Sequence, residues 1–305
     1  MLKPFPKRKQ EKRFMTVCVS AFAADMNAIV CVADKALSYG DVIQWDADST
    51  KIIKINPSGT LLLFSGDEEP NSKVLTTLYL NRNDLWYKDR YEIVETCQRQ
   101  YKTALNDLVE AKLLLPRFLD KSTYLTAITA PVVNDLVRSL ADEIKNFEMT
   151  SDLLVCGFDM LELPFMLDLY SPGVATDMSF TGIHAIGSGW EKAVSRLLFS
   201  EHKRAHSISR TLYDVFDAKA NAEMAVGVGY EWDAVVILKN GFHDVPEDIK
   251  RLIEKAWGKY NRSPFEKFDP TKHDSPPPRD WKEQLEEWCN SLATQSGSQT
   301  STDQR

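Results

Sequence analysis

Thr16-Val-Cys-Val-Ser-Ala-Phe-Ala-Ala24 and Ala28-Ile-Val-Cys-Val-Ala-Asp34 are two apolar runs separated only by Asp25-Met26-Asn27. Both are rich in Val and Ala and short enough for strands, and the polar residues between them suit a turn, so the stretch predicts a β-hairpin. A second hairpin is predicted where residues 51–55 and 60–64 flank Asn56-Pro57-Ser58-Gly59, whose proline and glycine fit a tight turn. From residue 70 to about 148 the period changes. Val94, Cys97, Tyr101, Leu105 and Leu108 recur at three- and four-residue steps, as do Leu136, Leu140, Ile144 and Phe147, which predicts helices.

Strands resume at residues 152–157 and 165–170, the second ending at Ser171-Pro172-Gly173. Two helices follow, one with Trp190, Val194, Leu197 and Leu198 on a face and one with Leu212, Val215 and Phe216. A strand at 233–238 and a helix at 246–257 complete the pattern, the latter with Pro246 in its first turn. The order predicts one α+β domain over residues 16–258. Residues 1–15 form a basic arm or propeptide. Residues 259–305 form an extension: a proline-broken linker, a short helix striped by Trp281, Leu285, Trp288 and Leu292, and a polar tail. The stripe docks back on the domain or binds a partner.

Composition narrows the classes. Of 305 residues, 37 are basic and 44 acidic, a net charge of −7 that argues against a phosphate-binding surface and hence against a nucleic-acid partner. Hydrophobic residues at 43% and charged residues at 27% exclude wholesale disorder. Apolar runs fall far short of the ~18 residues needed to cross a bilayer, so no membrane partner is expected. Five scattered cysteines offer neither a disulfide framework nor a CxxC metal site, and fit a reducing cytoplasm.

Residues 15–24 admit two exclusive readings. One is a signal peptide with a basic leader, an apolar core and cleavage after Ala23 at Ala21-Phe22-Ala23. The other is a core strand whose first residue, Thr16, does chemistry. Thr16, Cys18 and Ser20 weaken the apolar core, and the pattern resumes at once at Ala28, as a hairpin requires.

The residues downstream add context. Thr16-Val-Cys-Val, Val32-Ala-Asp-Lys-Ala-Leu-Ser-Tyr-Gly40, Ser49-Thr-Lys-Ile-Ile-Lys-Ile55 and Phe64-Ser-Gly-Asp67 follow in order. Further on come Leu153-Leu-Val-Cys-Gly-Phe-Asp159, Ser171-Pro-Gly173, Ala185-Ile-Gly-Ser-Gly189 and Gly227-Val-Gly229, the last leading into Asp233-Ala-Val-Val-Ile237. Over residues 15–240 this succession resembles the catalytic β-type subunits of the proteasome family, within the N-terminal-nucleophile (Ntn) hydrolases. The helical stretch between Gly66 and Leu153 is longer than is usual in that family.

The resemblance implies a fold and a chemistry. The fold is a four-layer αββα sandwich of two antiparallel sheets. Thr16 matches the nucleophile, and a hydroxyl needs a base within reach. The α-amine of Thr16 can serve if the chain begins there, since such an amine titrates near ~7.7–8.0, whereas an amide nitrogen cannot. Met15 directly precedes Thr16, so removal of an initiator methionine would expose it without self-cleavage.

Lys51 matches the family lysine beside the nucleophile, whose charge favours the neutral amine and the developing alkoxide. Asp34 matches the carboxylate that holds that lysine; it follows Thr16 by 18 residues and precedes Lys51 by 17. Gly66 matches the glycine whose N–H points into the oxyanion hole. Ser188 matches a serine near the amine, although Ser188-Gly-Trp-Glu191 also reads as a capping box for the next helix.

Leu37, Ile53 and Phe64 would line the pocket for the residue before the scissile bond. Ala225 and Val228 stand where full proteasome subunits usually carry an aspartate and a serine. The resemblance calls for no metal or cofactor, an unfolded protein or peptide as substrate, a homo-oligomeric ring and an ATP-dependent unfoldase as partner. Its α-type members are non-catalytic ring subunits, the alternative reading. Lys54 is a bystander, Asp46 and Asp48 decorate a loop, and His184, His202, His206, His243 and His273 show no metal-ligand spacing.

Overall fold

The computed structural model describes residues 16–39, 43–46, 50–55, 59–85, 88–131, 133–225, 228–260 and 280–295. The first hairpin is β1 (Val17–Ala23) and β2 (Ala28–Asp34), followed by β3 (Ala36–Tyr39), β4 (Ile43–Asp46), β5 (Ile52–Lys54) and β6 (Leu61–Gly66). The helical middle holds α1 (Glu68–Leu80), α2 (Arg90–Val109), α3 (Lys121–Ile128) and α4 (Asp135–Asn146). Then come β7 (Ser151–Phe158), β8 (Pro164–Tyr170), β9 (Val174–Asp177) and β10 (Ile183–Gly187), and helices α5 (Trp190–Phe199) and α6 (Ile208–Ala222). The chain closes with β11 (Trp232–Leu238), β12 (Gly241–Asp244), α7 (Glu247–Tyr260) and α8 (Trp281–Gln295).

Two antiparallel five-stranded sheets result, in the orders β10-β1-β2-β11-β12 and β5-β6-β7-β8-β9, with β3-β4 a separate hairpin. In the first sheet Cys18 faces Ala33 across the hairpin and Val17 faces Gly187 across the other edge of β1. In the second, Ile52 faces Leu63 and Leu63 faces Leu154.

Alternation along the strands sorts the core, because successive side chains point to opposite faces. Val17, Val19 and Ala21 of β1 lie in one cluster with Leu197, Leu212, Phe216 and Ile253 from α5, α6 and α7. Cys18 and Phe22 of the same strand lie in another, with Ile29 and Cys31 of β2 and Leu61, Leu63, Leu154 and Met166 of the second sheet. The other face of the second sheet sends Leu62, Leu153 and Leu167 against Val74, Leu78, Ile93 and Tyr101 of α1 and α2. The inner strands β1, β2, β7 and β8 are thus buried on both faces. For β1 and β2 this explains unbroken apolar runs where a half-exposed sheet would alternate.

The stripe on α8 docks: Trp281, Leu285, Cys289 and Leu292 join the cluster under α6, with the Trp281 ring 5.6 Å from that of Tyr213. Two predicted stripes each lose one member. Leu136 and Leu198 are exposed, while Leu140 and Leu197 are buried as predicted and Val137 is buried beside Leu140, because neighbouring residues on a helix face directions about 100° apart. Asn56, Pro57 and Ser58 of the second turn, residues 1–15, the linker and the polar tail lie outside the described residues. No helix among the described residues is long and apolar enough to cross a membrane.

Candidate active site

Thr16 immediately precedes β1, Asp34 ends β2 and Lys51 immediately precedes β5, so the two sheets bring the three side chains to one point. Lys51 Nζ donates to Thr16 Oγ1 at 2.6 Å and to Asp34 Oδ1 at 3.0 Å. Asp34 Oδ1 also accepts from the Val17 N–H at 3.0 Å, and Oδ2 accepts from the Gly229 N–H at 3.0 Å. The carboxylate side chain is wholly buried and the lysine 4% exposed. Removing an ion pair from water is costly unless hydrogen bonds satisfy what the pair leaves over. Two backbone donors do so here, and they also fix the carboxylate in space.

β10 shapes the other side. Gly187 sits at φ +92°, opposite Val17, and a Cβ there would lie 2.1 Å from the Thr16 carbonyl oxygen. Only glycine permits that approach. The next residue, Ser188, donates from Oγ to the Thr16 carbonyl at 3.4 Å. The capping box read at Ser188 is not formed. The N-cap of α5 is Gly189, without a side-chain cap, because the helix begins one residue later and Ser188 is turned to Thr16.

Gly66 ends β6 at φ +105°, a conformation that disfavours any side chain. Phe64 N donates to the Lys51 carbonyl at 3.3 Å, and the Phe64 carbonyl accepts from Cys18 Sγ at 3.4 Å. Gly66 therefore lies two residues past the point where β6 meets Lys51 and β1. Behind it, Asn71 donates to the Ser65 carbonyl at 3.2 Å and accepts from Ser151 Oγ at 2.6 Å, which anchors the strand end.

No protein-family model matches the chain, and no curated protein matches its sequence. Burial pushes the pKa of the Cys18 thiol far above the ordinary value, outweighing the Lys51 charge. Thr16 Oγ1 accepts a hydrogen bond from a cation, and that favours the alkoxide over the hydroxyl.

Ala225 and Val228 supply no polar side chain, as their types dictate, and Val228 is buried in the core. What the sequence reading missed is that a backbone group acts there, the Gly229 N–H on Asp34. It also missed Lys219, the buried partner of Glu223. Lys219 is completely buried in α6 and donates to Glu223 Oε1 and to the Tyr230 carbonyl, both at 2.6 Å. Burial raises the Glu223 pKa; Lys219 lowers it, and the Asp34 charge adds to the rise. Their four-residue spacing was legible as a helix pair, but its burial was not.

Ile53 and Phe64 are half-buried and pack against the cluster formed with α1 and α2. The Leu37 side chain and Asp48 lie outside the described residues. Lys54 pairs with Asp244 at 2.6 Å on the surface. A groove of about 410 Å³ between α6 and α8, lined by Arg210, Tyr213, Trp281 and Leu285, includes none of the predicted site residues.

Proposed function

We propose that the chain is a threonine-type Ntn hydrolase of the proteasome β kind, built on a four-layer αββα sandwich and active when Thr16 is its first residue. One observation carries this reading: a buried, carboxylate-anchored lysine ammonium lies 2.6 Å from the hydroxyl of a threonine at the head of a central strand. A strand-opening threonine has no structural need of such a partner, and burying a lysine against it is costly.

The chemistry runs as acyl transfer. The free α-amine of Thr16 takes the Oγ1 proton, with Lys51 favouring the resulting alkoxide. Oγ1 attacks the scissile carbonyl, and the Gly66 N–H receives the oxyanion. A donor of this kind contributes ~3 kcal/mol to the transition state in comparable sites. Collapse breaks the C–N bond, the ammonium of Thr16 protonates the leaving amine, and an ester remains on Oγ1. Water, deprotonated by the same amine, then hydrolyses the ester. Asp34 positions Lys51, and Ser188 and Gly187 position the Thr16 backbone. The substrate is an unfolded protein or peptide, and a self-associated ring fed by an ATP-dependent unfoldase would restrict access to it.

The test combines intact mass with peptide turnover. Protein whose mass begins at Thr16 is expected to cleave a fluorogenic peptide, and Thr16→Ala to abolish turnover while keeping its unfolding midpoint. Turnover unchanged in Thr16→Ala, or turnover by protein extended ahead of Thr16, overturns the assignment. A correctly processed chain that cleaves no peptide or protein favours the non-catalytic ring subunit.

A further inference from the structure

The connection between α5 and α6 brings two of the histidines together. Residues 201–207 carry His202 and His206, and Asp214 stands on the second turn of α6. Nδ1 of each ring lies near the same carboxylate oxygen, Asp214 Oδ2, at 3.3 Å for His202 and 3.4 Å for His206. The two rings stand edge to face with centroids 5.3 Å apart, and one donor atom from each of the three residues falls within a 4.8 Å group.

These spacings are long for hydrogen bonds to a carboxylate, which cluster near 2.7–2.9 Å. They match the separation of about 3.3 Å that two ligand atoms show when each lies ~2.0–2.1 Å from a tetrahedral metal ion. The tautomers point the same way. His202 Nε2 lies 3.0 Å from the Phe22 carbonyl, which can only accept. With Nδ1 also facing a carboxylate, His202 would need a proton on both nitrogens while its side chain is 1% exposed. A metal at Nδ1 removes that requirement: Nε2–H donates to Phe22 and Nδ1 offers its lone pair. Metal-bound histidines commonly donate their other nitrogen to a backbone carbonyl, and ligating carboxylates are themselves hydrogen-bonded. Arg210 Nε supplies the latter, 2.8 Å from Asp214 Oδ1, leaving Oδ2 for the ion.

We propose that His202, His206 and Asp214 form a binding site for a zinc-type divalent cation, with water in a fourth position. Two imidazoles and one carboxylate select Zn²⁺ or a similar transition metal over Mg²⁺ or Ca²⁺, which prefer all-oxygen shells. The gap of three residues between the histidines lies within the range of known zinc spacings, which corrects the sequence expectation that these histidines have no metal-ligand spacing; the third ligand, Asp214, comes from the next helix. The ion would clamp the α5–α6 connection to the first hairpin. Ala24 N already donates to the His206 carbonyl at 2.7 Å and Asp25 N to the Arg204 carbonyl at 2.9 Å. Phe22 is six residues along β1 from Thr16, about 20 Å at the rise of a strand. The site is thus separate from Thr16 and independent of the hydrolase reading.

Untagged full-length protein, stripped with a chelator and titrated with Co²⁺, is the test. The expected result is saturable binding of one ion per chain, a visible absorption band of tetrahedral strength, displacement by Zn²⁺ and a raised unfolding midpoint with either metal. His206→Ala and the size-conserving His206→Gln should weaken binding at least about 100-fold, since loss of even an outer-shell partner costs 10–100-fold. The half-exposed His206 is chosen so that the variants fold. No saturable binding by the wild-type protein at micromolar metal, or undiminished binding by either folded variant, overturns the site.

Discussion

Asp34 shows how one side chain joins chain segments far apart in sequence: it accepts from Val17, Lys51 and Gly229, which come from the first strand, the second sheet and the approach to β11. The carboxylate thus requires both sheets to be in place before its hydrogen bonds exist. Glu223 is the opposite case, a carboxyl with one strong partner and much burial. Burial raises its pKa above the ordinary glutamate value despite Lys219. The folded state then holds the proton more tightly than the unfolded chain. Its contribution to stability is fully present below the unfolded pKa and is lost as pH rises through the folded pKa. Glu223→Gln, which has no proton to lose, should remove that slope. Urea midpoints of both proteins across the weakly acidic range are expected to show wild type losing ground to the variant as pH rises. A difference that stays constant with pH would show that Glu223 does not titrate in that window.

At the level of elements, α8 is the most consequential docking. Leu285 and Leu292 are nearly inaccessible and share the cluster that covers β1 and β2. Leu285→Ala should cost about 2–5 kcal/mol, the usual loss for a core leucine. A helix held only by its tether would lose no more than ~0.5 kcal/mol, so a urea titration separates the two. The doubly buried hairpin β1–β2 was legible because unbroken Val and Ala runs leave little else to form. The helices at α2 and α6 were legible from period, and α7 from Pro246 at its start. β9 and β12 were not: at four residues each, Val174–Asp177 and Gly241–Asp244 carry too few apolar positions to set a period, and only pairing with β8 and β11 defines them. The site divided the same way. Thr16, Asp34 and Lys51 were singled out only through the family resemblance, whereas Gly229 acts through a backbone N–H and Asp214 through a helix face, neither of which leaves a mark in local sequence.

For the molecule as a whole, β1 is the element that ties the layers together. It lies between β10 and β2, and its alternate residues enter both the cluster under α5–α7 and the cluster between the sheets. The apolar run that made residues 15–24 look like an export signal is the same run that fills both clusters. The two readings therefore make opposite demands on one segment. Processing after Ala23 would delete the strand, open two sheet edges and remove Val17, Val19 and Phe22 from the core; edges and cavities of that size exceed the 5–15 kcal/mol by which domains are stable. A chain made to begin at Thr16 keeps every one of those contacts. Expressed side by side, the Thr16-start form should unfold cooperatively in urea with intact near-ultraviolet circular dichroism. The Ala24-start form should show neither a cooperative transition nor fixed aromatic signals. A folded, cooperative Ala24-start protein would show that β1 is dispensable, and the placement of Thr16 beside Lys51 would then lose its structural basis.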